Sequence, residues 1–193
     1  MMLAFALHYY FLLVHDQVVR ILLVDADPRS QTSDDWCNLA KFQGHEWPQN
    51  IVVIPWATPN VASHVRAVEK DYDHIIIDTG GDNPDILGAA LTVVDLLLMP
   101  FAASQPETRR IAATFQVYKS VKVGPNPRLM AFALLVKTWK NSVKARKARA
   151  DLVKAGVPIA DTEIPELTRY CEAFGTVPPE AWAYAELLKE LMD

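Results

Sequence analysis

Short apolar runs alternate with longer amphipathic segments along the chain, and this alternation predicts strands and helices in turn. The clearest run covers residues 19–24, where every residue except Arg20 is apolar and both faces of a strand would be apolar before the chain reaches Asp25. Strands that are apolar on both faces are typical of the centre of a parallel sheet, because helices cover both sides of it. We therefore predict an α/β fold with a doubly wound, mostly parallel sheet flanked by helices.

The same pattern predicts the bounds of each element. Strands are expected at residues 19–24, 51–54, 74–77, 96–99, 129–136 and near Ile159, with prolines closing the second and fourth. Helices are expected at residues 34–41, 61–70, 84–94, 107–121, 143–155 and 180–191. No repeat, low-complexity tract or composition shift marks a linker, so residues 1–193 are expected to form a single domain.

The first 14 residues are strongly apolar and predict a buried helix. A secretory signal would carry basic residues before the apolar run and a small-residue cleavage site after it, and neither is present. His15 and Asp16 end the run before it reaches the ~20 residues that span a bilayer. We therefore expect a cytoplasmic protein without membrane contact, in which Cys37 and Cys171 are two buried thiols.

Acidic residues directly follow two of the apolar strands. In open α/β sheets the ligand site lies beyond the carboxyl ends of the strands, where an aspartate can bind magnesium or orient a water on a phosphate. Aspartate is also common in ordinary turns, but two such positions with similar flanks favour a functional site. The candidate residues are Asp25 and Asp27 after the first strand, Asp78 after the third, and the flexible turn Thr79, Gly80 and Gly81.

A basic stretch stands out from the net charge of −4. Seven basic residues between Lys137 and Lys154 face a single acid, Asp151. Such a density favours contact with phosphate backbones, although a solvated basic helix of no functional consequence has the same pattern. The residues expected to contact DNA are Lys140, Lys144, Arg146, Lys147 and Arg149.

Four segments, in order along the chain, resemble the ParA/MinD family of partition and positioning ATPases. ILLVDADPRSQTSDDW resembles the second signature of that family, and YDHIIIDTGGD resembles its Walker B strand and switch. DLLLMPFAASQPETR and IPELTRYCEAFGTV are similar to the strand that follows and to the late segment with an Arg and a Tyr. The compact chain looks closest to the small plasmid-partition ATPases, and the resemblance implies a P-loop NTPase-like fold.

This resemblance also implies activity and partners. Asp25 and Asp27 would position the catalytic water or magnesium, Asp78 would hold Mg²⁺, and Thr79, Gly80 and Gly81 would respond to bound ATP. The implied protein forms a homodimer with ATP, binds DNA without sequence preference through the basic stretch, and is stimulated by a ParB-like partner protein. A MinD-like membrane helix is not expected, because the last twelve residues are too acidic.

One family feature is missing from the sequence. No G-x-x-x-x-G-K-[ST] motif occurs, and the first lysine is Lys41. The backbone N–H groups and the lysine of this loop hold the β- and γ-phosphates, so without it ATP hydrolysis would be impaired and nucleotide would be bound weakly or not at all. Either the chain starts downstream of the loop and of the first strand, or the protein has lost them and is a non-hydrolysing interaction module that binds DNA or a partition partner. The gap left by that strand predicts lowered stability or dimerisation through the gap.

Overall fold

The computed structural model describes residues 1–81, 83–139 and 142–192. Its strands are β1 (Ile21–Asp25), β2 (Ile51–Pro55), β3 (His74–Asp78), β4 (Leu96–Phe101), β5 (Met130–Thr138) and β6 (Ile164–Pro165). Its helices are α1 (Met2–Val14), α2 (Thr32–Phe42), α3 (Val61–Val68), α4 (Pro84–Leu91), α5 (Gln105–Val123), α6 (Val143–Lys154), α7 (Thr168–Glu172) and α8 (Ala183–Met192), with a 3₁₀ turn at Glu69–Asp71.

All pairs between the described strands are parallel, which confirms the predicted fold class. The strands form two three-stranded sheets, in the orders β2-β1-β3 and β4-β5-β6. The central strand β1 is buried along its whole length, as its uninterrupted apolar sequence predicts. Its residues alternate between two cores: Ile21 packs towards α1, α2 and α8, whereas Leu22 and Val24 pack towards α3 and α4.

Two helices join the sheets, one on each face. On α4, Ile86 packs into the core of the first sheet and Leu91 into the core of the second. On the opposite face, α8 bridges the sheets too: Leu188 packs into the core of the first sheet and Leu187 into the core of the second. The two sheets are therefore held together by helices.

Between the sheets lie two strand edges without a partner. Within the described residues, β3 pairs only with β1 and β4 only with β5. The apolar residues of β3, and residues 96–98 of β4, are only partly buried. Among the described strands, these two edges leave N–H and C=O groups without strand partners, as the absence of the family's first strand would. Lowered stability and dimerisation through this gap remain predictions.

Several predicted bounds were wrong for local reasons. Pro100 does not end β4, which continues to Phe101, because this proline lies on a strand whose other edge is free of pairing among the described strands. The strand near Ile159 is only an isolated bridge to Ala133, and the sheet ends instead on the two residues of β6. The short helix α7 was not predicted. Cys171 is exposed, so only Cys37 is a buried thiol.

The apolar first segment forms α1, as predicted, but only its first half is buried. Met2 and residues 4–7 lie in the core, whereas Leu13 is 75% exposed and Val14 is 61% exposed. None of the helices in the described ranges combines the length and the apolarity that a membrane span requires.

Candidate functional site

The two predicted strand-end carboxylates lie side by side. Because β1 and β3 are parallel and in register, Asp25 is paired directly with Asp78 at the carboxyl ends of the strands. The loops that follow both strands begin here, and Ala26 N–H donates to the Asp78 carbonyl at 2.8 Å. The structure therefore brings together the two acidic positions that the sequence singled out.

Asp25 is buried, with 1% of its surface exposed, and its carboxylate is used by the backbone around it. Its Oδ2 accepts hydrogen bonds from the N–H groups of Ser33 at 2.8 Å and Asp34 at 3.0 Å. Its Oδ1 accepts a longer bond of 3.3 Å from Asp27 N–H. Asp25 thus binds the free N–H groups in the first turn of α2 and fixes that helix against the end of β1.

Ser33 connects the two carboxylates. Its N–H donates to Asp25, and its hydroxyl donates to Asp78 Oδ2 at 2.9 Å. Asp78 itself is exposed, in contrast to Asp25. The pair therefore consists of one buried carboxylate held by backbone donors and one carboxylate that faces outward.

Asp27 lies against the turn that follows Asp78. Its Oδ2 accepts from the Ser30 hydroxyl at 2.6 Å and its Oδ1 from Arg29 N–H at 2.9 Å. The hydrogen bond from Ser30, and then that from Arg29, hold the pKa of Asp27 below its ordinary value, so this carboxylate stays ionised. A Cβ added at Gly80 would lie 2.6 Å from Asp27 Oδ1, so the glycine allows the two loops to touch.

The rest of the predicted turn is open. Thr79 is partly buried, Gly81 is exposed, and a Cβ at Gly81 would meet nothing within 4 Å. Asp82, the last residue of the motif, lies outside the described residues. Only Gly80 of this turn has a close neighbour that explains its residue type.

Met1, at the amino end of α1, lies within electrostatic range of the same two aspartates. Burial lowers the pKa of the Met1 α-amino group, and the carboxylates of Asp78 and then Asp25 act in the opposite direction. The first turn of α2 is the helix start that directly contacts the two aspartates. Helix N-termini of this kind attract anions, including phosphates.

The donor set suits magnesium better than a metal that needs many protein ligands. No cluster of three or more His, Cys, Asp or Glu side chains in metal-binding range occurs in residues 1–81, 83–139 and 142–192. Mg²⁺ in nucleotide sites takes one or two carboxylates and fills its octahedron with waters and phosphate oxygens. Asp78 fits the role of direct ligand, whereas the backbone hydrogen bonds of Asp25 leave it better suited to act through a water.

The basic stretch divides into residues with different surroundings. Lys144 and Lys147 line a cleft of about 480 Å³ between α5 and α6. Arg149 is instead engaged with the protein, because its guanidinium donates to the Ala160 carbonyl at 2.9 Å and forms an ion pair with Glu163 at 3.2 Å. Arg146 is exposed and has a contact of its own. Lys140 lies outside the described residues.

The late segment packs against the start of α8. The Arg169 guanidinium lies 5.0 Å from the centre of the Trp182 ring, and the Tyr170 hydroxyl accepts a hydrogen bond of 3.1 Å from Ala183 N–H. Tyr170 also meets Trp182 and Tyr184 edge to face. These contacts give Arg169 and Tyr170 a structural role in holding the late segment against α8.

Sequence reasoning missed two contributors. Ser33 carried no local signal, because its hydroxyl bonds Asp78, 45 residues away, and the N-cap of α2 is Gln31. Arg109 lines the α5–α6 cleft from the side opposite the basic stretch, and only tertiary packing brings the two together.

Comparisons with known proteins agree on the fold. No protein-family model and no curated protein matches the chain. Among solved structures, apo McdA from Cyanothece superposes with a TM-score of 0.73 at 20% identity, covering 100% of this chain and 93% of that one. A plasmid partition protein from Borrelia burgdorferi gives a TM-score of 0.62 at 16% identity, covering 98% and 91%.

A third solved structure holds nucleotide and metal. Cobyrinic acid a,c-diamide synthase from Mycobacterium smegmatis, with bound ADP and magnesium, superposes with a TM-score of 0.70 at 18% identity, covering 99% of this chain and 86% of that one. A variant of McdA is likewise known as an ATP complex. Neighbours with different activities at such low identities establish a common architecture. This chain therefore shares its fold with McdA, the Borrelia plasmid partition protein and the synthase.

Proposed function

We propose that this chain is a ParA-like partition or positioning protein that binds ATP and Mg²⁺ at the carboxyl ends of β1 and β3, dimerises with bound nucleotide, and binds DNA without sequence preference. The observation that supports this best is the in-register pair of Asp25 and Asp78, joined by Ser33. The ATP complex of McdA and the ADP–magnesium complex of the synthase support the same ligands.

Each acidic residue has a separate role in this proposal. Asp78 binds the metal, and the Ser33 hydroxyl orients its carboxylate. Asp25 holds the first turn of α2 in place and orients a water at the site. Asp27, through its contact with Gly80, links the loop after β1 to the turn after β3. Magnesium, when bound with nucleotide, supplies positive charge that neutralises the phosphates.

The affinity of this polypeptide for nucleotide is expected to be low. The sequence contains no G-x-x-x-x-G-K-[ST] motif, and loops of this type supply most of the donors to the β- and γ-phosphates. ATP binding and hydrolysis by the 193 residues are therefore impaired in this proposal. A ParB-like protein is the partner that would stimulate the activity.

Sedimentation velocity at millimolar ATP tests the proposal, since a high nucleotide concentration offsets weak binding. We expect the dimer fraction to rise with ATP and Mg²⁺ and to fall again in EDTA. Asp78→Asn should abolish this response, whereas Asp71→Asn, which changes an exposed aspartate at the opposite end of β3, should keep it. A dimer that forms equally in EDTA would point to association through the free edges of β3 and β4 instead.

A second candidate is a non-hydrolysing ParA-like module that binds DNA or a partition partner. The three hydrogen bonds that Asp25 accepts from backbone N–H groups favour this second candidate. They give the carboxylate a structural role that does not require catalysis. A protein that stays monomeric at all nucleotide concentrations yet retains DNA binding would support this candidate over the first.

A further inference from the structure

A cleft of about 480 Å³ lies between the start of α5 and the side of α6 that carries Lys144, Lys147 and Asp151. Its floor is made by small side chains, Ala103 and Ala148, which let the two helices form a recess. Both helices follow the carboxyl ends of β4 and β5, so the cleft opens at the same end of its sheet as Asp25 and Asp78 do in theirs. The residues that line its walls are Ser104, Gln105, Thr108 and Arg109 on the α5 side and Lys144, Lys147 and Asp151 on α6.

The charge in this cleft is strongly positive. Three cationic side chains face it from two helices, against the single carboxylate of Asp151. Within the described residues, Arg109, Lys144 and Lys147 form no ion pair. Three exposed cations that line one recess give it a local positive potential, which attracts anions.

Two basic residues that neighbour the cleft cations in sequence are paired with acids. Arg110, next in sequence to Arg109, is paired with Glu107 at 3.0 Å. Arg149, two residues after Lys147, is paired with Glu163. The three cations that line the recess thus lack the acidic partners that these two neighbours outside it possess.

The lining suits phosphate groups in particular. An arginine can donate two parallel hydrogen bonds to a phosphate, and lysines act as mobile point charges beside it. The Ser104 hydroxyl oxygen already accepts from Glu107 N–H, which leaves its hydrogen available for a phosphate oxygen. An open recess with cations on both walls fits a continuous phosphodiester backbone, whose successive charges can engage both helices.

We propose that the α5–α6 cleft is the site that grips the phosphodiester backbone of DNA, with Arg109 on one wall and Lys144 and Lys147 on the other. This inference rests on the DNA binding in the proposed function and narrows it to one place. It adds Arg109 and the first turn of α5 to the interface and removes Arg149 from it. The contacts reach phosphates only and therefore read no sequence.

Fluorescence anisotropy with a labelled duplex of arbitrary sequence, recorded over a series of salt concentrations, tests the inference. Each phosphate contact contributes about one to the slope of log K against log salt. Arg109→Ala and Lys147→Ala should each lower the slope by about one and weaken binding several-fold, and the double variant should lower it by about two. Arg109→Lys should keep the slope, since it keeps the charge.

Matched controls lie on the same helices outside the cleft. Arg110→Ala and Lys154→Ala remove the same charges from α5 and α6, and both should leave the slope unchanged. Lys144→Gln is an independent cleft variant to use if circular dichroism shows that an alanine variant has lost its fold. Unchanged slopes in the cleft variants, or equal losses in the controls, would overturn the cleft while leaving DNA binding intact. Absence of binding by the unsubstituted protein would overturn both the cleft and the DNA binding of the proposed function.

Discussion

The two sheets have the same construction but carry opposite chemistry at their carboxyl ends. Each has three parallel strands, a well-buried central strand and, among the described strands, an edge at β3 or β4 without a further strand partner. The first sheet ends in the carboxylates of Asp25 and Asp78, whereas the second opens onto the cationic α5–α6 cleft. An acidic site suits a metal-bound nucleotide, and a basic cleft suits bare phosphates.

This contrast shows where stability and function are separated in the molecule. The central strands β1 and β5 hold the core, and the edges of β3 and β4 contribute less because they are partly exposed. The chemistry-bearing side chains stand at strand ends and helix starts, where a substitution alters charge without opening the core. The separation can be tested by comparing substitutions across the two sheets.

The largest expected effect concerns the central strands. Leu22 on β1 and Leu134 on β5 are 0% and 1% exposed, so Leu22→Ala and Leu134→Ala should each lower the free energy of unfolding by about 3 kcal/mol. Leu97→Ala on β4 should cost about 1 kcal/mol, because this side chain is only partly buried. Chemical denaturation measures all three. Equal losses of unfolding free energy at all three positions would contradict the smaller contribution expected from β4.

A smaller effect should separate the two carboxylates. Asp25→Ala leaves the N–H groups of Ser33 and Asp34 without their acceptor in a buried place, and should cost about 2 kcal/mol. Asp78→Ala removes an exposed side chain and should cost less than about 0.5 kcal/mol. Denaturant midpoints of the two variants, measured without nucleotide, check the difference. A larger loss of stability in Asp78→Ala than in Asp25→Ala would contradict the structural role assigned to Asp25.

The smallest effect concerns the contact between the two loops. Gly80→Ala places a Cβ against Asp27 Oδ1 and should cost about 1 kcal/mol, because Ser30 and Arg29 hold that carboxylate in place. In an Asp27→Ala background the same change should cost nearly nothing. A double-mutant cycle therefore gives a coupling of about 1 kcal/mol. Gly81→Ala, with open space around it, is the matched control; additive effects at residues 27 and 80 would contradict the contact.

Local sequence patterns were enough to predict the strands and the acidic pair. The run that ends at Asp25 is apolar on both faces, which requires a central strand, and a strand-end aspartate follows in each of β1 and β3. No local sequence pattern predicts the division into two sheets. Only the family resemblance suggested it, because the first strand of that family is missing from this chain. Ser33 could not be placed in the site, because its partner Asp78 lies 45 residues away along the chain. Arg109 could not be placed, because the other cations of the cleft lie on a different helix. The removal of Arg149 from the DNA-binding set likewise depends on a tertiary contact with Glu163.

Calorimetric titration of ATP in the presence and absence of Mg²⁺ tests the central claim, that the acidic end of the first sheet handles the metal-bound nucleotide. We expect weak binding that Mg²⁺ strengthens. Asp78→Asn should weaken the magnesium-dependent affinity by at least about tenfold, or about 1.4 kcal/mol, and Lys147→Glu at the basic cleft should leave it unchanged. An ATP affinity that is the same with and without Mg²⁺ would contradict this claim. So would an ATP affinity that falls in Lys147→Glu but is unchanged in Asp78→Asn.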